Sequence, residues 1–137
     1  MAKILIIEDN VQNMKLAAFL LNSAGHTVIQ ANHALGGIAI AQQHLPDLIL
    51  MDIQLPGMDG LTATRILKGD ATTRDIKIYA LTAFAMKGDE EKVYAAGCDG
   101  YIAKPIRYQA FLETVMSALA EIATPKNEKR GNNERTP

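Results

Sequence analysis

Short, uninterrupted apolar runs separated by longer amphipathic stretches restrict this chain's fold more than any other feature. Ile4-Leu5-Ile6-Ile7 is the first run, rich in β-branched residues and followed at once by Glu8-Asp9. A strand that is apolar at consecutive positions buries both of its faces, the condition of a strand inside a parallel sheet covered on both sides. Leu48-Ile49-Leu50-Met51 repeats the pattern after Pro46 breaks the chain. Thr27 to Ala31, Ile76 to Leu81 and Tyr101-Ile102-Ala103 supply three further strands.

Helical periodicity fills the gaps. Val11, Met14, Leu16, Ala17, Leu20 and Leu21 recur at helical spacing, and Gly25 stands where the chain turns out of that helix. A second helix is predicted from about His33 to Gln43, weakened by Gly36 and Gly37, each costing ~1 kcal/mol relative to alanine. Leu55 to Gly60 is turn material, with Asp59 as the N-cap of a helix carrying Leu61, Ile66 and Leu67. A fourth helix runs from Met86 to Ala96 and is closed by Gly97. The last, from Tyr108 to Ile122, sets Phe111, Leu112, Val115, Met116 and Leu119 on one face. Met14, Met86 and Met116 all sit at core spacing, with Met86 near enough to the surface to touch a partner. Five strand–helix units in alternation imply an α/β fold, a parallel sheet with helices on both faces.

Length and composition set the outer limits. The 137 residues suffice for one domain with its own core, and 48% apolar with 21% charged residues is ordinary for a globular fold. A single cysteine, Cys98, excludes an internal disulfide framework and reads as a small buried residue. Fourteen Lys and Arg balance fifteen Asp and Glu, which gives no reason to expect nucleic-acid binding. No apolar run approaches the ~20 residues of a membrane span, and the four apolar residues after Met1-Ala2-Lys3 are too few for a signal peptide. A reduced, cytoplasmic location is the expectation. Residues 1–123 are expected to form the domain. Residues 124–137, with Lys126, Lys129, Arg130 and Arg135 against Glu128 and Glu134, read as a polar disordered tail.

In an open parallel sheet, ligands bind beyond the carboxyl ends of the strands. Glu8-Asp9, Asp52, Thr82-Ala83 and Lys104-Pro105 leave four such ends, so three carboxylates, a hydroxyl and an ammonium converge on one edge. Crowded carboxylates raise the pKa of at least one member. Lys104 offsets one charge, and a hard divalent cation with oxygen ligands, Mg²⁺ before zinc, offsets the rest. A carboxylate is also a nucleophile toward phosphorus, and Asp52, leaving the central strand, is the best placed. Taken singly, Asp9 or Asn10 reads as a helix cap, Thr82 as a strand-end hydroxyl and Tyr101 as a half-buried aromatic. His26, His33 and His44 are expected away from the acidic edge.

Glu8-Asp9-Asn10, Met51 to Gly60, Leu81-Thr82-Ala83 and Lys104-Pro105-Ile106 together resemble the signature of bacterial two-component receiver domains, over about residues 3 to 122. Asn13 to Leu16, Met51 to Pro56 and Leu81 to Glu91 are similar to those of stand-alone receivers that regulate cell division. The resemblance implies a flavodoxin-like (βα)5 fold of strand order 2-1-3-4-5. It implies Asp52 as phosphoacceptor, and Mg²⁺ (or Mn²⁺) held by Asp9, Asp52 and the Gln54 carbonyl, with Glu8 acting through water. Thr82, Ala83 and Lys104 would surround the phosphoryl group, the Lys104–Pro105 bond would be cis, and Thr82 with Tyr101 would form the switch pair. It further implies a histidine kinase or histidine phosphotransfer protein as donor, and a protein target on the face of the fourth helix, fifth strand and fifth helix. Such a chain is no enzyme beyond its own phosphorylation and slow dephosphorylation, and bulky Phe84 beside Gln54 suggests slow hydrolysis. An aspartyl-phosphate phosphohydrolase needs a second Asp where Gln54 stands, and glutamine exchanges no proton. A receiver cut from a hybrid kinase and a receiver that binds partners without phosphate are the other readings.

Overall fold

The computed structural model describes residues 1–83 and 88–123. Five strands, β1 (Lys3–Ile7), β2 (Thr27–Ala31), β3 (Leu48–Asp52), β4 (Lys77–Thr82) and β5 (Gly100–Ala103), alternate with five helices. These are α1 (Val11–Ser23), α2 (Ala34–His44), α3 (Gly60–Gly69), α4 (Asp89–Ala95) and α5 (Tyr108–Ala123). The strands form one parallel sheet of order β2-β1-β3-β4-β5, as the resemblance implies. The expected start of α4 at Met86 and the tail 124–137 fall outside the described residues.

Alternation along each strand divides the core in two. Ile4, Ile6, Leu48, Leu50, Leu81 and Ile102 face α1 and α5, where Met14, Ala17, Leu21, Phe111, Val115 and Ala118 close over them. Leu5, Ile7, Ile49, Met51, Ile78 and Ala80 face the other way, against Ile38 and Ala41 of α2, Ala63 and Leu67 of α3 and Val93 of α4. β1 and β3 are buried on both faces, which is why their sequences are continuous apolar runs. Each of these fully buried aliphatic side chains contributes roughly 1.5–3 kcal/mol of transfer free energy.

Caps fix where the helices begin. The Asn10 carboxamide oxygen accepts from Asn13 N at 2.9 Å, and the Asp59 carboxylate accepts from Thr62 N at 2.8 Å. Gly37 of α2 also acquires a reason. A Cβ at Gly37 would come 2.7 Å from Ile7 Cγ1, so the helix lies on β1 only because that Cβ is missing.

Helical phase overturns four core expectations. Val11 and Met116 are each 66% exposed, and Leu16 and Ile66 are about 40% exposed. The stripe of α1 that meets the sheet is Met14, Ala17, Ala18 and Leu21, which turns Leu16 outward. Met116 lies five residues from Phe111, about 140° around the helix, and so leaves the face that Phe111 and Val115 share. Met14 does pack in the core.

The start of α3 is the tightest joint in the fold. A Cβ on Gly60 would strike the Asp52 carbonyl oxygen and come 2.7 Å from Ile53 Cα. Gly60→Ala is therefore expected to lower stability by about 1–3 kcal/mol, read as a lower urea midpoint. Gly69→Ala, at the far end of the same helix with nothing within 4 Å of the added carbon, serves as the comparison and should be neutral or stabilising. Equal loss from both substitutions would refute the close approach.

Candidate phosphoacceptor site

The carboxyl edge of the sheet gathers the residues singled out from the sequence. β1 ends in Glu8 and Asp9, β3 in Asp52, β4 in Thr82, and Lys104 follows β5. The connections that carry them are tied to one another through the backbone. Glu8 N donates to Ala31 O at 3.0 Å, Ile53 N to Leu81 O at 3.3 Å and Lys104 N to Thr82 O at 2.8 Å. The Lys104–Pro105 peptide bond is cis, as expected.

Carboxylate oxygens of Glu8, Asp9 and Asp52 lie within 4.8 Å of one another. The Lys104 ammonium sits 3.1 Å from Glu8 Oε1 and 3.2 Å from Asp52 Oδ2. One cation thus faces two buried acids, with Asp9 exposed at the mouth. Backbone N–H groups set the orientations: Gln54 N donates to Asp52 Oδ1 at 2.9 Å, and Asn10 N to Glu8 Oε2 at 3.0 Å. Glu8 Oε1 is left as a buried side-chain oxygen with no aligned hydrogen bond, its contact with Lys104 being an ion pair only.

The expected pKa split is present, and it falls between Glu8 and Asp52. Burial, then the shared proton with Asp52, pushes Glu8 up to about 7. Burial acts on Asp52 in the same sense. It is outweighed by the hydrogen bonds from Glu8 and Gln54 N and by Lys104, which together hold Asp52 below its ordinary value. The site therefore keeps Asp52 ionised, the form in which its oxygen is a nucleophile.

Thr82 is buried at the end of β4, and Ala83 follows it exposed. Tyr101 is half-buried on β5, its ring edge-on to Tyr94 of α4 with centroids 6.3 Å apart and planes at 75°. Phe84 and Met86 lie outside the described residues. Asn10 is a helix cap, whereas Asp9 belongs to the acidic cluster. Cys98 is buried, 3.8 Å from Thr64 Oγ1, with burial raising its thiol pKa, the mark of a packing residue.

One histidine is placed differently from the expectation. His26 and His44 do lie at the opposite edge, where His26 Nδ1 accepts from Ala2 N and the His44 carbonyl accepts from Lys3 Nζ. His33 instead follows β2 at the carboxyl edge and lines a cleft of about 530 Å³ together with Glu8 and Asp9. Its place at a strand's carboxyl end was the available signal. Sequence reasoning also missed the clearance at Gly60, because nothing local in a turn reports which backbone lies beneath it.

Comparison with known proteins agrees with this geometry. The model of the response regulator receiver domain matches residues 4–116. The polar-differentiation response regulator DivK of Brucella anthropi is 48% identical over 118 residues, covering 86% of this chain and 96% of that protein. The receiver domain of a Pseudomonas aeruginosa sensor histidine kinase, solved with a magnesium ion coordinated in its active site cleft, is 33% identical. It covers 90% of this chain and 98% of its own, with a TM-score of 0.79. A CheY-like receiver domain protein from Methanospirillum hungatei is 27% identical over 89% of this chain and 96% of its own, with a TM-score of 0.81. With the fold, the converging edge and these likenesses in agreement, the chain belongs to the response regulator receiver domains and is of the DivK-like type.

Proposed function

We propose that this receiver takes a phosphoryl group on Asp52 from a histidine kinase or a histidine phosphotransfer protein and uses it to change its binding to a protein target. The observation that carries the reading is the Lys104 ammonium held between Asp52 and Glu8 at 3.2 and 3.1 Å. An Asp52 oxygen attacks phosphorus while the bond from phosphorus to the donor's imidazole nitrogen breaks, leaving an acyl phosphate on the protein and a neutral donor histidine. Lys104 then pairs with a phosphoryl oxygen in place of a carboxylate, and the Thr82 hydroxyl and the backbone around Ala83 offer it further donors. Phosphorylation takes the group from about −1 to near −2 and adds strong acceptor oxygens. Thr82 and Lys104 gain contacts only in that state, which is what moves a two-state loop.

The donor set also fits Mg²⁺. Three carboxylates, one retaining a buried oxygen without a hydrogen bond, form a hard-oxygen site that lacks the thiolates favouring softer metals. Asp9, Asp52 and the Gln54 carbonyl would hold the ion, with Glu8 acting through water, and Mn²⁺ could substitute. The ion would supply positive charge against the carboxylates and the incoming phosphoryl oxygens.

The face of α4, β5 and α5, which carries Tyr101 next to the phosphorylation edge, is the output surface of this reading. A net charge of −1 favours a protein over a nucleic acid as its target. Among the described residues no helix is long and apolar enough to cross a membrane, consistent with a cytoplasmic role in polar differentiation or cell division. The protein itself is a signalling switch, with slow loss of its own phosphoryl group as its only turnover.

With Mg²⁺ and acetyl phosphate, the protein is expected to gain one phosphoryl mass that is acid-stable and base-labile, and Asp52→Asn to gain none. Labelling retained in Asp52→Asn would refute the assignment.

The Glu8 pKa makes a second prediction. Its value near 7 exceeds its ordinary 4.5. The stabilisation from the bound proton is therefore complete below pH 4.5 and is lost as pH rises through 7. Asp52 acts oppositely but only at or below its ordinary 3.8, outside that window. Protein treated with a chelator should lose about 1–3 kcal/mol of stability between pH 5 and 8, measured by urea unfolding. Glu8→Gln should flatten the profile, and Mg²⁺ should restore the wild-type protein at pH 8. Matching slopes in the two proteins would show that Glu8 is not the group titrating.

A further inference from the structure

α4 is the least anchored helix of the fold. It has seven residues and buries one side chain, Val93, whereas α1 buries five residues and α2 and α3 bury four each. Its N-cap is Gly88, which has no side chain to satisfy the first turn. An element with so few buried contacts opens at low free energy, and its position depends on whichever contacts remain. The ring of Tyr94 is the notable one. It is 46% exposed, and it meets Tyr101 edge to face at 6.3 Å. Tyr101 pairs in register with Ala80 of β4, two residues before Thr82, and packs on the cluster that holds Val93. The aromatic contact therefore links the weakly held helix to the strand beside the phosphorylation edge.

We propose that Tyr94 is a positioning residue of the switch: its ring latches Tyr101 to α4 in the arrangement seen, and the rearrangement of the Thr82–Tyr101 pair on phosphorylation of Asp52 must break that contact. The inference rests on the proposed phosphoacceptor reading and adds to it the residue that sets the resting balance of the two states. No proton or electron moves; only the packing changes. An edge-to-face pair biases such an equilibrium by about three- to tenfold.

The test compares the full-length wild-type protein with Tyr94→Ala and Tyr94→Phe. Labelling by acetyl phosphate and Mg²⁺ is followed by intact mass, and amide hydrogen exchange of residues 89–95 is measured without phosphodonor. Tyr94→Ala is expected to label about three- to tenfold faster and to exchange faster in α4, while Tyr94→Phe, which keeps the ring, matches wild type in both. Wild-type labelling in Tyr94→Ala, or failure of Tyr94→Phe to match wild type, overturns the latch. Slower labelling in Tyr94→Ala would mean the contact favours the phosphorylated arrangement and equally overturns it. Asp52→Asn run in parallel separates the two ideas: if it still labels, the underlying reading fails, and if it alone is silent while Tyr94→Ala is unchanged, only the latch does.

Discussion

Three carboxylates brought within 4.8 Å of one another, with one ammonium paired to two of them, are an unfavourable arrangement, and the rest of the structure is organised to hold it. Left to themselves, the acids would separate or neutralise. Here they cannot separate, because each leaves the end of a strand locked in a parallel ladder. The response is a division of charge. Glu8, the more easily protonated, has its pKa raised to about 7, while Asp52 remains ionised under Lys104 and the Gln54 N–H. A site that keeps one acid charged and loads another with a proton is prepared for a cation and for a phosphoryl group, the two species that would relieve it.

The fold supplies rigidity where that chemistry needs it and looseness where signalling needs it. β1 and β3, which carry Glu8, Asp9 and Asp52, are buried on both faces and flanked by other strands. The joint after Asp52 is fixed by α3 beginning so close to the strand that only glycine fits at position 60. Lys104 is bound through its own N–H to the Thr82 carbonyl, so the cation and the hydroxyl move as neighbours. Toward the other end of the sheet, Lys68 closes the opposite edge by donating to the Ile76 carbonyl and to Asp99, which also accepts from Ile78 N. α4, with its single buried valine, is the exception to this firmness and lies beside the residues that would respond to phosphate.

Much of this was legible in the order of residues, for physical reasons. Runs such as Ile4 to Ile7 and Leu48 to Met51 announce doubly buried strands whatever their context, and with three further strands interleaved with helical periodicity they leave few topologies. The site was legible because topology, once known, places every strand end on one edge. Phase was harder to read. Leu16 and Met116 fit a helical repeat, yet each sits on the outer side, because a repeat fixes which residues share a face and not which face meets the sheet. His33 reads as the start of a helix, yet the same position lies just beyond the carboxyl end of β2 and so beside the acidic edge. The glycines of α2 read as weakness, whereas the side chain of Ile7 occupies the room that a Cβ at position 37 would need. Such contacts between distant segments have no local trace.

The account stands on the acidic edge being one cation site. A titration of the protein with Mg²⁺, followed residue by residue through amide ¹H–¹⁵N shifts, tests that claim most directly. Saturable shifts should be confined to residues 8–10, 52–54, 82–83 and 104, and Asp9→Asn should abolish or strongly weaken them. Shifts scattered over exposed acids elsewhere, or a response indifferent to Asp9→Asn, would contradict it.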